Sequence, residues 1–316
     1  METRGRRGSL VAVGRTVALL GALVAPLACA DQEELQLFPR PFQIIAHRGA
    51  SAYAPENTLP TFARAYELGA FEVELDVQVS RDDVVVLFHD AELVAQTGRR
   101  GRVRDYSAAE LCAMEIGSWF DRTHPEVAES FAGTRLVTLA ELFDAFGDRL
   151  YYHVELKSAD AELPGLTLAE IERAGVGGRV RFTSFMFEQL ERARALDAAI
   201  PITLLVGDAA ELRAEAKNET TAQGEPPLLH LQKRQVDRAA RADFDQVGLP
   251  SHDLGPEIVA YTRSRGLQVR AWRIRSDEDM RHAIAVGSNG MTTNWPDRLI
   301  RALVEHTGSG LGRHPR

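Results

Sequence analysis

Cysteine is almost missing from this chain, with only Cys29 and Cys112 in 316 residues. A disulfide-stapled scaffold and a thiolate metal site are both excluded. Aromatic residues make up 7%, within ordinary globular composition. Basic residues are outnumbered, 37 to 45, for a net charge of −8. No broad cationic face is left to hold nucleic acid. Beyond the N-terminus no apolar run approaches the ~20 residues of a membrane helix. Glycine and proline, 25 and 14 residues, are at ordinary levels, so collagen-like and low-complexity readings fall away. What is present, 45% hydrophobic and 26% charged residues, is globular composition, enough for one large barrel or two ordinary domains.

The one apolar stretch lies at the front. Arg4, Arg6, Arg7 and Arg15 precede Val17–Leu27, and Ala28-Cys29-Ala30 offers small residues at a cleavage position. Residues 1–30 therefore read as an export signal cut after Ala30, with a periplasmic or extracellular destination. Arg6-Arg7 is a weak twin-arginine feature. Cys29 permits a lipid anchor instead, but Pro26 stands where a lipobox usually has Leu. Without residues 1–30 the charge becomes −11 and Cys112 is the sole cysteine. An acidic body repels anions at long range, so an anionic ligand must be held by a few local cations.

After a polar linker at 31–41, apolar runs alternate with helical patterns. Runs beginning near 42, 71, 150, 180, 201, 246, 267 and 290 read as strands, each followed sooner or later by a helix. Eight such units predict a TIM (β/α)8 barrel over 42–306, with a small inserted subdomain at about 90–135 after the second strand and its hairpin partner, Val84–Phe88. A doubly wound open sheet is the alternative. Residues 307–316 read as a flexible tail. Asn218-Glu219-Thr220 matches a glycosylation sequon.

In such a barrel, reactive groups sit at the C-terminal ends of strands. The first strand delivers His47 and Arg48, the second Glu74 and Asp76, the third Glu155 and Lys157. Each of the latter two pairs shares one face, because strand side chains alternate. A two-residue hairpin at Asp82-Asp83 would set His89 opposite Asp76. Charged pairs at the ends of apolar strands are costly unless matched with partners or a metal. Glu74, Asp76 and Glu155 form an all-oxygen donor set suited to one divalent cation, Ca²⁺ or Mg²⁺. Arg48 and Lys157 could neutralise a phosphodiester, and His47 and His89 could serve as general base and acid.

Taken together, His47-Arg48-Gly49-Ala50, Pro55-Glu56-Asn57-Thr58, Glu74-x-Asp76, His89-Asp90 and Glu155-x-Lys157 resemble the signature of the glycerophosphodiester phosphodiesterase family. Further along, Gly117-x-Trp119-Phe120, Thr183-Ser184-Phe185, Trp272 and Thr293-Asn294-x-Pro296-Asp297 extend the resemblance over about residues 43–300. It implies metal-dependent hydrolysis of a small-molecule glycerophosphodiester to an alcohol and sn-glycerol 3-phosphate. It assigns His47 and His89 as the catalytic pair and Glu74, Asp76 and Glu155 as metal ligands. Arg48 and Lys157 then contact phosphate, Glu56 orients the Arg48 region, and Trp272 contacts substrate.

Three positions depart from the family pattern. Asp82-Asp83 stands where Asp-Gly is frequent, Arg273-Ile274-Arg275 where Thr-Val-Asn is common, and Asn289 where Asp is frequent. The arginines alter the surroundings of the leaving group and leave the substrate open. A lysophospholipase D- or sphingomyelinase D-like phosphodiesterase is the nearest alternative, though the 90–135 insertion has no long apolar run. A non-catalytic phosphodiester-binding protein is the alternative from another class. No stable membrane span and no nucleic-acid partner are expected of the mature chain, and the sequence sets no oligomeric state.

Overall fold

A computed structural model describes residues 42–216 and 226–310. The leader, the 31–41 linker with Cys29 before it, the sequon at 218–220 and the last six residues lie outside them. Strands β1 (Gln43–Ala46), β2 (Glu72–Val79) and β3 (Val85–Leu87) open the fold, with α1 (Leu59–Glu67) after β1. The insertion carries α2 (Val94–Thr97), α3 (Ala108–Cys112) and α4 (Gly117–Thr123), and α5 (Leu139–Phe146) follows it. The alternation resumes with β4 (Tyr151–Leu156), α6 (Leu163–Ala174), β5 (Val180–Ser184), α7 (Phe187–Leu196) and β6 (Ile202–Leu205). After α8 (Ala209–Ala216) and α9 (Pro227–Arg241) come β7 (Gln246–Pro250), α10 (Pro256–Ser264), β8 (Gln268–Trp272), α11 (Asp277–Ala285), β9 (Gly290–Thr293) and α12 (Pro296–Gly310). That last helix runs into the stretch expected to be a tail.

The sheet order is β1-β9-β8-β7-β6-β5-β4-β2-β3, and β1 also pairs with β2, through Ile45↔Glu72 and Ala46↔Val73. That pairing closes eight parallel strands into a barrel and excludes the open sheet. Among the described strands only β3 is antiparallel. Its register corrects the sequence reading: Val77 faces Leu87 and Val79 faces Val85. Asp83, at φ 61, takes the left-handed position of a three-residue loop, and Asp76 lies level with Phe88, one residue short of His89.

The apolar core lies between the barrel's outer surface and the helices. Val73, Leu75 and Val77 of β2 pack there beside Phe62, Leu142, Phe143 and Tyr152, all fully or nearly fully buried. Capping boxes fix several helix starts, with Thr138 and Glu141 at α5 and Ser276 and Asp279 at α11. The insertion has its own small core, including Phe88, Leu93, Val103, Leu111 and Ile116. Trp119, Phe120 and Phe131 pack it on Ala54 of the loop after β1.

The barrel interior, by contrast, is polar. Thr203 Oγ1 donates to Gln246 Oε1, and Gln246 Nε2 donates to Gln43 Oε1. His153, buried, pairs with Glu72 Oε2 at 2.8 Å. Above it Arg270 is 1% exposed, 3.3 Å from His153 Nδ1 and 3.2 Å from Thr183 Oγ1. Burial lowers the Arg270 guanidinium to about 10, so it stays charged at neutral pH.

Candidate active site

Strand alternation puts Glu74, Asp76 and Glu155 inside the barrel at its C-terminal end, all buried. One oxygen from each lies within 4.8 Å of the others. Glu74 Oε1 and Asp76 Oδ1 have no hydrogen-bond partner among the described residues, although both are buried. Burial, then the nearby Asp76 and Glu155 carboxylates, push Glu74 well above the usual carboxylate range. Burial and Asp76 likewise raise Glu155. Burial would raise Asp76 as well, but Arg48 and Lys157 outweigh it and hold that carboxyl low. A closely spaced acidic trio with orphaned oxygens carries repulsion that a divalent cation would relieve.

The cations are fixed by the same groups. Arg48 sits at φ 52 in the turn leaving β1, its backbone N–H donating to Glu74 Oε2 at 2.9 Å. Its side chain bridges Glu56 at 2.8 Å and Asp76 at 3.2 Å. Glu56 in turn accepts from Gln96 of the insertion. Gly49, at φ +83, lets this turn press on α1: a Cβ there would fall 2.3 Å from Thr61 Cγ2. Lys157 Nζ donates to Glu155 Oε1 at 2.9 Å and lies 3.6 Å from Asp76.

His47 and His89 line one cavity of about 270 Å³ with Arg48, Glu74, Glu155, Lys157 and Trp272. His47 Nδ1 is 2.7 Å from Asn294 Oδ1, and Nε2 lies 3.8 Å from Glu74. Because an amide oxygen only accepts, Nδ1 carries the proton and Nε2 is left with its lone pair. Burial and the Arg48 charge lower His47, which keeps it neutral. His89 is placed by the loop beyond β3 rather than by ladder pairing. Gln78 Nε2 donates to the Phe88 and Asp90 carbonyls at 2.8 and 2.9 Å, clamping the backbone on both sides, and His89 Nδ1 meets Asp90 Oδ1 at 2.8 Å. All nine residues singled out from the sequence therefore meet at one barrel mouth, Glu56 standing just behind Arg48.

Other residues were not singled out. Asn57, at φ 57, donates to Asp76 Oδ2 at 2.8 Å and accepts from the Asp76 backbone N–H at 3.1 Å. Asn57, Asn294 and Asp90 lay inside recognised motifs without a role. Gln78 and Arg270 had a weaker signal, polar side chains on otherwise apolar strands. Ser184 only satisfies backbone, donating to the Leu156 carbonyl. Trp272 packs edge-on to Phe185, ring centroids 5.2 Å apart.

A closed barrel with an acidic donor trio, two imidazoles and locally anchored cations at its C-terminal mouth defines a class first: a barrel enzyme with a site for an anionic ester. Residues 47–298 match the model of the glycerophosphoryl diester phosphodiesterase family. The chain is 30% identical over 292 residues to a glycerophosphodiester phosphodiesterase of Bacillus subtilis, covering 89% of this chain and 93% of that one. A second relative of that name, from Caldanaerobacter subterraneus, is 30% identical over 264 residues, covering 82% of this chain and 97% of its own. Among solved structures, one named for this family from Silicibacter pomeroyi superposes with TM-score 0.73 at 26% identity, over 85% of this chain and 95% of the other. A phosphodiesterase from Oleispira antarctica, solved with the product sn-glycerol-3-phosphate, shares the fold with TM-score 0.68 at 23% identity, over 82% and 96%. The chain belongs to the glycerophosphoryl diester phosphodiesterase family.

Proposed function

We propose that this protein hydrolyses glycerophosphodiesters to an alcohol and sn-glycerol 3-phosphate, with one divalent cation held by Glu74, Asp76 and Glu155. The observation that carries the reading is the convergence of two imidazoles, each held through Nδ1 by a side-chain oxygen, on the cavity that Glu74 and Glu155 of the acidic trio line. The orphaned Glu74 and Asp76 oxygens and the all-oxygen donor set fit Ca²⁺ or Mg²⁺. Bound there, the cation would supply Lewis-acid neutralisation of phosphoryl charge.

The chain's own residues do the rest. Arg48 and Lys157 hold the phosphate oxygens. His47, with Nδ1–H committed to Asn294, accepts the nucleophile's proton at Nε2. His89, oriented by the contact of its Nδ1 with Asp90 Oδ1, donates a proton to the departing alcohol oxygen as the P–O bond breaks. Trp272 forms one wall against the substrate. A cavity of about 270 Å³ falls just below the usual span for ligand sites, roughly 300–1,000 Å³, and suits a small diester better than an acylated one.

The test is release of glycerol 3-phosphate from glycerophosphocholine and glycerophosphoglycerol by the protein starting at Asp31, with chelator and then with Ca²⁺ or Mg²⁺ restored. Turnover that stops on chelation and returns with metal supports the reading; a protein inactive on both under either metal overturns it. Export rests on the features of residues 1–30 alone, and mass analysis of the native protein should find a mature N-terminus at Asp31 outside the cytoplasm.

A further inference from the structure

The reaction centre leaves one part of the cavity unexplained. Its outer wall consists of Phe185, Leu205, Trp272, Arg273, Ile274 and Arg275, carried by the segment after β5, by the end of β6, and by the end of β8 and the segment that follows it. Among the described residues, the only acids lining the cavity are Glu74 and Glu155, at its floor. Arg273 is neutralised: it pairs with Asp208 and lies 5.5 Å from the Trp272 ring centroid. Its backbone, at φ 60, turns the chain sharply over the mouth, and its carbonyl accepts from Ser251 Oγ at 3.2 Å.

Arg275 differs. Its guanidinium has no hydrogen-bond or ion-pair partner among the described residues, yet it lines the same cavity as both histidines. Its backbone is nonetheless anchored, the N–H donating to Asp279 Oδ2 at 2.7 Å as part of the α11 cap. The acids that follow do not quench it. Asp277 pairs with Arg298, Asp279 is used by the cap, and Glu278 does not line the cavity. On the other side of His89, the neighbouring cavity also holds arginines, but Arg102 pairs with Glu92 and Arg104 with Asp83 and Asp160. Arg275 is thus the cavity-lining cation whose backbone is anchored while its guanidinium has no hydrogen-bond or ion-pair partner among the described residues.

We infer that Trp272, Ile274 and Arg275 form a subsite for a second anionic group on the substrate, so that the preferred diesters carry a phosphate or carboxylate on the alcohol beyond the scissile phosphate. The inference rests on the phosphodiesterase reading above. A quaternary ammonium head group finds no carboxylate in the outer wall, and the aromatic faces it could stack on already have Lys157 Nζ 5.9 Å from the Phe185 centroid and Arg273 beside Trp272. A second anion meets a guanidinium that no protein acid has taken.

The experiment compares kcat/KM for bis(glycerophospho)glycerol, glycerophosphoglycerol and glycerophosphocholine, using the protein from Asp31 with its metal. The first two differ by one phosphodiester charge, and the doubled scissile bond by itself accounts for only about twofold. We expect the doubly charged substrate to lead by roughly tenfold or more, mostly through KM, as a charge-assisted contact supplies. The lead should shrink with added salt. Arg275→Gln should collapse it to the statistical twofold, and Arg275→Lys should keep part of it. A lead unchanged in Arg275→Gln, or equal efficiency on all three substrates, overturns the subsite and leaves the phosphodiesterase reading standing. Absence of turnover on every diester overturns both.

Discussion

Replacing Asn57 with alanine isolates how the site is held together. Asn57 donates one hydrogen bond to the buried Asp76 carboxylate and accepts another from the Asp76 backbone, while its own backbone sits at φ 57. Losing a bond to a charged group costs about 1.5–3 kcal/mol and losing a neutral one about 0.5–1.5. Alanine in the left-handed region adds about 1 kcal/mol, a cost Asn largely avoids. Asn57→Ala should therefore lose about 3–5 kcal/mol, a fall in Tm of roughly 10 °C for a chain of this size. Guanidinium melts followed by tryptophan fluorescence, in chelator, measure it directly. Asn57→Gly loses the same side chain but tolerates the backbone, so it should be about 1 kcal/mol more stable than Asn57→Ala. A loss below about 1 kcal/mol in the alanine variant, or alanine and glycine variants of equal stability, would refute the reasoning.

Other outcomes follow from the same geometry. His89→Ala should slow release of choline about 10²–10⁴-fold but far less for a p-nitrophenol leaving group, which needs no proton, whereas His47→Ala should slow both; equal effects of His89→Ala on the two leaving groups would contradict the acid role. Adding Ca²⁺ or Mg²⁺ to the metal-stripped protein should raise its Tm, by about 2.7 kcal/mol of stability at a hundred times Kd, and Glu155→Gln should blunt the rise, as scanning calorimetry would show. Burial and the hydrogen bond to Asp297 push Tyr53 up to about 12; the fold thus holds this proton more tightly, so the contribution is complete below about pH 10 and is lost as pH rises towards 12. Denaturation midpoints of Tyr53→Phe should therefore fall less steeply than wild type over that alkaline interval. Gly49→Ala should fold poorly, because the new Cβ meets Thr61 at 2.3 Å in a left-handed turn; wild-type stability by thermal melt would contradict that.

Much of this was legible in the chain because it rests on local chemistry. Buried parallel strands need apolar runs and helices need caps and a 3.6-residue stripe, so the eight barrel strands stood out from composition and spacing. Glu74 with Asp76, and Glu155 with Lys157, could be placed on shared faces because strand alternation is strict. Closure was not legible: an alternating β/α pattern is equally compatible with an open sheet, and only the Ile45–Glu72 and Ala46–Val73 pairings settle it. The hairpin shows the limit of spacing. One additional loop residue, with Asp83 left-handed, shifted the register by one, and His89 reaches the mouth because Gln78 clamps the loop around it.

By itself, then, the sequence determined the alternation of strands and helices, the acidic trio, the two histidines and the family, because each depends on residue type and on separations of a few positions. The tertiary structure decided what each group faces. Asn57 on Asp76, Asn294 on His47, and Arg270 lining the same cavity as Glu74 and Glu155 all concern side chains that come from different strands or their loops and meet only in the closed barrel. No local pattern encodes such meetings, since they follow from barrel closure and the stagger of its strands, which fix distances only once every strand is in place.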